Sequence, residues 1–274
     1  MTDYTHVQLR REGPVLIATL VNPPRNLMNA RMVEEMHAVV DEIAGDDAVR
    51  ALIFTGAADG IFITHYDVGE LSVLSDVVRE RVSAAAPAPE RERAAPELHP
   101  LDRLSLKLRD LPQPVIAAIN GTAMGGGCEL TLACDFRIMA LGHQIGLPEV
   151  RVGILPGAGG TQRMTHLLGR AKALELMLLG NTVEAAEAVR IGLVHRAVPP
   201  DRVLPEAIAL AQELASRPRV SIAEIKRLVH HASEWPIEEG LREEAAAFMR
   251  TMRSDDASKL MRSYLKSDRP LNEQ

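Results

Sequence analysis

The order of apolar and polar positions divides the chain into short strand-like runs followed by longer helical ones. Residues 7–11 and 15–21, separated by Glu12-Gly13, predict a hairpin at the start of a sheet. Residues 22–26 (NPPRN) then read as a rigid loop. Met32, Val33, Met36, Val39, Val40 and Ile43 recur at the spacing of a helix with one buried face. Residues 51–55 (ALIFT) predict another strand, with 56–60 (GAADG) as its turn. Residues 115–119 (VIAAI) are a further run of strand length. Asn120-Gly121 breaks it, and Gly125-Gly126-Gly127 opens onto a stretch of helical composition, 128–134. Beyond Arg163 the spacing is helical over 171–179, 183–191, 203–215, 222–231, 237–253 and 257–266. Residues 83–97 (SAAAPAPERERAAPE) carry no period and read as a mobile loop or short surface insertion, with a lid as the functional alternative.

Strand, glycine loop, helix is an arrangement that aims unpaired N–H groups and the positive end of a helix dipole at an anion. Glu129 falls in the first turn of that helix, and a second carboxylate, Glu149, follows Pro148 after another strand-like run. A helix N-terminus with two glutamates points to acid/base chemistry on a substrate that develops negative charge. A glycine triplet before a helix is by itself an ordinary tight turn, so the remaining sequence has to carry the assignment.

Composition changes this picture little. With 274 residues and 46% apolar content, the chain suits one large globular domain or a domain with an appended piece. A net charge of -6 gives no overall attraction to nucleic acid or anionic membrane. Cys128 and Cys134, the only two cysteines, are not spaced as a disulfide framework or zinc site. The first residues lack the apolar stretch of a signal peptide, and no run reaches the roughly 18 apolar residues of a membrane span. A cytoplasmic protein is expected.

PVIAAING, GGGCEL, ACDFRI, LPE and PGAGGTQR occur in this order between Pro114 and Arg163. Together they resemble the crotonase (enoyl-CoA hydratase/isomerase) superfamily, and the likeness extends over nearly the whole chain. The resemblance implies an α/β fold, a crotonase-type spiral of ββα units over residues 1–200, followed by a helical C-terminal region, 201–274, used for oligomerisation. It implies an acyl-CoA thioester as substrate, with coenzyme A as part of that substrate and no separate cofactor or metal. It also implies a homotrimer or dimer of trimers. The apolar stripes Leu241, Ala245, Phe248, Met249, Met252 and Leu260, Met261, Tyr264, Leu265 suit such contacts.

The same resemblance assigns roles. The backbone N–H groups of Tyr66 and Gly126 would form an oxyanion hole for the thioester carbonyl; Glu129 would orient and deprotonate a water, Glu149 would supply a proton, and Gly157 would help hold the water. The CoA moiety would run along Asn26, Leu27, Met28 and Thr64, Asp67, Val68, largely on backbone contacts. Backbone donors suit an oxyanion because they need no reorganisation during the reaction. Two carboxyls in a partly dry pocket divide acid and base roles, since ionisation of one raises the pKa of the other. His65 departs from the family, which has glycine there. The expectation is that His65 takes a backbone shape usual for glycine, and that the Tyr66 side chain narrows or shields the acyl site.

Other candidates fall away. Residues 157–161 (GAGGT) lack the lysine of a phosphate loop. His143, His166, His230 and His231 have no metal-ligand spacing, and Ser72 and Ser75 no nucleophile-elbow context. Asp135 is expected to anchor backbone at the end of its helix. Enoyl-CoA hydration is the reading taken forward. The alternatives are isomerisation, thioester hydrolysis or decarboxylation on the same scaffold, and, from another class, a non-catalytic or RNA-binding relative, against which the acidic balance argues.

Overall fold

In a computed structural model, residues 4–84 and 97–271 are described; residues 85–96, most of the Ala/Pro-rich segment, lie outside them. The predicted hairpin is β1 (Val7–Glu12) and β2 (Val15–Leu20), and the first amphipathic helix is α1 (Ala30–Ala44). There follow β3 (Ala51–Gly56), β4 (Gly60–Ile63), α2 (Val68–Ala84) and α3 (Pro100–Asp110). The central stretch gives β5 (Val115–Ile119), β6 (Gly121–Met124), α4 (Gly126–Ala133), β7 (Phe136–Ala140) and β8 (Gln144–Gly146). Next come α5 (Gly160–Leu168), α6 (Arg170–Leu179), β9 (Thr182–Glu184), α7 (Ala185–Arg190) and β10 (Arg196–Val198). Four helices end the chain, α8 (Val203–Ser216), α9 (Arg219–His231), α10 (Ile237–Met252) and α11 (Asp255–Tyr264).

The strands form two sheets, ordered β1-β2-β3-β5-β7-β10 and β4-β6-β8-β9. From β3 to β8 the first strand of each pair enters the larger sheet and the second the smaller, the connectivity of a ββα spiral. Two features were hidden in the sequence. Asn120-Gly121 is no loop: it is where the chain steps from β5 into β6. Asn120 accepts the Gly56 N–H (2.9 Å) and donates to Ala58 O (3.0 Å), stitching this step to the matching one between β3 and β4. A Cβ on Gly121 would stand 1.9 Å from the Gly60 carbonyl carbon, so the backbones meet only because the side chain is absent. The helix expected over 183–191 also begins differently, since Thr182–Glu184 is captured as a strand beside β8 and the helix starts at Ala185.

The inner strands of the larger sheet are buried on both faces, which is why they read as continuous apolar runs. Leu52, Phe54, Ala117 and Ile119 pack with α1, α3 and α4, while Ile53, Ile116, Ala118 and Ile138 face Val203, Ala207 and Ala211 of α8. Helix α8 therefore closes the back of the sheet, and residue 200 is not an edge of the packed core. Helix α9 is tied to the core by a buried ion cluster. Lys226 Nζ lies 2.9 Å from Asp135 Oδ2 and donates to Gln113 O (2.9 Å), and His230 Nε2 meets Asp135 Oδ1 at 2.7 Å. Asp135 also accepts the Val115 N–H (2.7 Å), so the backbone that its side chain anchors is the start of β5 rather than the end of its own helix. Burial works to raise the Asp135 pKa, but His230 and Lys226 outweigh it and hold the carboxyl low. Among the described residues no helix is long and apolar enough to cross a membrane.

Candidate active site

The loop before α1 and the loop after β4 run side by side. Met28 N–H donates to His65 O (3.0 Å) and Asp67 N–H to Met28 O (2.7 Å). This one-residue parallel bridge turns the N–H of the intervening Tyr66 away from Met28. Thr64 N–H reaches Asn26 O (3.3 Å), and its hydroxyl donates to Arg25 O. The segments predicted to follow CoA, 26–28 and 64–68, are thus neighbours. Within them Asn26 and Met28 bury their side chains. Asn26 holds the loop, accepting from Asn22 N–H (2.7 Å) and donating to Phe62 O (2.6 Å), and it does not line the cavity described below.

The expectation for His65 is corrected. Asn26 (φ 48°) is the one non-glycine residue with positive φ among the described residues, so His65 keeps an ordinary backbone conformation. The bridge to Met28 fixes this turn by hydrogen bonds. The His65 ring contacts the Tyr66 carbonyl through Nδ1 (2.6 Å), and Asp67 accepts the Gly69 N–H (2.7 Å).

Each glycine of the triplet answers a different demand. Gly125 has φ 53° and caps α4; a Cβ on Gly127 would stand 2.6 Å from Ile63 O, so it lets α4 press against β4. Gly126, the first residue of α4, faces Tyr66: a Cβ there would lie 3.3 Å from the Tyr66 Cβ. Neither the Gly126 N–H nor the Tyr66 N–H has an acceptor among the described residues. Every residue of α4 is buried, and Arg137 donates to Thr131 O (3.0 Å) and Cys134 O (2.7 Å) at its other end.

Tyr66, Gly126, Glu129, Glu149 and Gly157 all line one cavity of about 340 Å³. Val68, Leu71, Leu101, Val152, Ile154 and Leu155 make much of its remaining wall apolar. Glu129 is 4% exposed, and its Oε1 accepts the N–H groups of Ala158 (2.8 Å) and Gly160 (3.0 Å). Burial raises its pKa while those two donors oppose the rise. Glu149 begins a 3-10 turn, Glu149–Val152, and its Oε2 is buried with no hydrogen-bond partner among the described residues. Burial, with a smaller contribution from Glu129, pushes the Glu149 carboxyl up to about 7. Burial therefore raises both carboxyls, and the two differ in their partners: Glu129 is held by two fixed donors, whereas Glu149 has a buried oxygen without one.

Ala158 and Gly160 were not foreseen as partners of Glu129. The glycine-rich run 157–160 carried the signal, but the start of α5 at Gly160 did not stand out from the turn before it. A Cβ on Gly160 would lie 2.9 Å from Glu129 Oε1 and 2.8 Å from Pro156 Cβ, so glycine is what lets this N–H approach. A larger cleft, about 590 Å³, opens between α9 and the core. Its carboxylate, Asp135, is already engaged by Lys226, His230 and Val115.

A model of the enoyl-CoA hydratase/isomerase family matches residues 10–274. A short-chain-enoyl-CoA hydratase of Clostridium acetobutylicum is 31% identical over 96% of this chain and 95% of its own length. A crotonyl-CoA hydratase of Syntrophomonas wolfei is 32% identical, over 96% of this chain and 95% of its own. The crystal structure of an enoyl-CoA hydratase from Bacillus anthracis superposes with a TM-score of 0.84 at 30% identity, covering 96% of each chain.

Proposed function

The chain belongs to the enoyl-CoA hydratase/isomerase family, and on that premise we propose that it is a hydro-lyase adding water reversibly to trans-2-enoyl-CoA thioesters. The observation that carries this reading is the pair of carboxyls in one cavity, anchored in different ways. Glu129 is anchored by two N–H donors on Oε1, while Glu149, raised to about 7, has an unpartnered oxygen in the same cavity. Water addition needs one group to take a proton and another to give one.

In this mechanism the thioester carbonyl sits between the Tyr66 and Gly126 N–H groups at the start of α4. Glu129, with the Gly157 N–H, holds a water against C3 and takes its proton as the C3–O bond forms. The π electrons of C2=C3 move onto the carbonyl, and the enolate oxygen is stabilised by the two backbone donors, each worth about 3 kcal/mol in sites of this kind. Glu149 then protonates C2. The product gains one hydroxyl and one hydrogen, and a proton passes back from Glu129 to Glu149 to restore the starting state. Coenzyme A belongs to the substrate and is read as lying along residues 26–28 and 64–68, mainly on backbone groups. No separate cofactor is required by these steps.

The proposal extends to a homotrimer or dimer of trimers working in the cytoplasm. Supporting it, Leu241, Phe248 and Met249 on α10 and Leu260 and Met261 on α11 are exposed in the single chain. The test of the chemistry is hydration of crotonyl-CoA, followed by loss of the conjugated thioester absorbance and by product mass. Glu129→Gln is expected to lower kcat by about 10²–10⁴ with CoA-ester binding retained. Near-normal hydration by that variant would refute the assigned pair.

A further inference from the structure

The residue assigned to the thioester carbonyl through its N–H also carries an aromatic side chain, and that side chain lines the same cavity. A carbonyl oxygen within hydrogen-bond reach of the Tyr66 N–H is necessarily close to the Tyr66 Cβ. The ring is therefore a near neighbour of the acyl group wherever the thioester binds. It is also fixed. Its Cδ2 lies 3.6 Å from the position of a Cβ on Gly126, against the start of α4. It meets the His99 ring edge-on, with centroids 5.5 Å apart and planes at 76°. The Glu70 carboxylate interacts with the phenol, and Glu70 Oε2 accepts the Ala30 N–H (3.0 Å), tying the assembly to the start of α1.

His99 is held as firmly. It is the N-cap of α3, with Nδ1 accepting the Leu101 N–H (3.2 Å), and both His99 and Leu101 line the cavity. The two rings thus span from α4 to α3 as a continuous wall. Displacing Tyr66 would break its packing against α4, its edge contact with His99 and its contact with Glu70 together.

We propose that the Tyr66 ring, backed by His99, is the chain-length stop of the acyl pocket and restricts the enzyme to short trans-2-enoyl-CoA substrates. This rests on the hydratase reading above and adds its substrate class. The acyl tail beyond C3 is directed against the ring face, and longer tails are excluded by a wall that cannot move without losing three contacts. The phenol hydroxyl acts only to hold the ring, so phenylalanine at this position keeps the stop.

The experiment measures kcat/KM for four-, eight- and twelve-carbon trans-2-enoyl-CoA with the unaltered protein, Tyr66→Phe and Tyr66→Ala. The unaltered protein is expected to favour four carbons. Tyr66→Ala should raise the eight-to-four-carbon ratio by about tenfold or more, the scale on which apolar pockets discriminate by size. Tyr66→Phe should leave that ratio within about threefold. Should the alanine variant fail to fold, Tyr66→Leu carries the same ratio test. A ratio unchanged by alanine, with KM altered equally for every chain length, would place the ring beside the pantetheine arm and overturn the proposal. A preference of the unaltered protein for twelve carbons would do the same. Absence of hydration at every chain length would overturn the hydratase reading itself.

Discussion

Replacing Glu149 by glutamine should move activity and stability in opposite directions, and the pH dependence of the second effect can be worked from the structure. The Glu149 carboxyl stands at about 7 in the fold against 4.5 for the free side chain. At roughly 1.4 kcal/mol per pH unit, that gap amounts to about 3 kcal/mol. Its sign follows from where protons bind. Below 4.5 both folded and unfolded chains hold the proton, and nothing is lost. Between 4.5 and about 7 the unfolded chain ionises while the native site stays protonated, so stability falls as pH rises. Above about 7 the full cost is present. Glutamine has the shape of the protonated acid and never ionises. Glu149→Gln should therefore be more stable than the unaltered protein by about 3 kcal/mol at pH 8, and by less than ~1 kcal/mol at pH 5. At about 2 °C per kcal/mol for a chain of this size, the melting temperature should rise by roughly 6 °C at pH 8 and hardly at pH 5. Scanning calorimetry at the two pH values is the assay, with hydration rates measured on the same samples. Activity should fall by about 10²–10⁴, since the C2 proton donor is gone. An equal thermal shift at both pH values, or a loss of stability at pH 8, would show that Glu149 is not held protonated by its surroundings.

Other expectations follow from single contacts. Gly160→Ala should displace Glu129 Oε1, 2.9 Å from the added Cβ, and lower kcat by about tenfold or more with a smaller change in KM, measured by steady-state kinetics. Lys226→Met should destabilise the fold by about 3–5 kcal/mol in urea titrations, because Asp135 stays buried without its cation; retention of full stability would mean that His230 alone suffices. Light scattering at micromolar concentration should return three or six chains, and a single-chain mass would remove the oligomer proposal.

What could be read in advance divides along physical lines. Helix α1 is legible because one-sided burial leaves a period in the sequence, and α10 because its apolar stripe keeps the same period although it is exposed in the single chain. That Glu129 and Glu149 share one cavity is legible through the family resemblance, which pairs positions that spacing alone does not. The β5 to β6 step was not, since Gly121–Met124 is too short and too small to show alternation, and its glycine marks a close approach between backbones. The Ala158 and Gly160 donors were hidden for a similar reason: they act through N–H groups that every residue but proline has. His65 misled because a bulky residue in place of glycine suggested a strained turn, whereas the bridge through Met28 leaves its φ ordinary. Residues 83–97 read as a mobile loop or insertion, with a lid as the alternative, and most of that segment lies outside the described residues.

Helix α4 has a consequence for spectroscopy. Its eight residues are all buried, so no water along its flanks damps the electric field of its peptide units. The Arg137 guanidinium covers the carbonyl end, which leaves the amino end as the unopposed source of field. A thioester carbonyl at that end lies in a field that polarises C=O toward C⁺–O⁻ before any bond is made. Its stretching band should therefore shift to lower frequency on binding, and Arg137→Gln, some distance from the substrate, should return part of that shift.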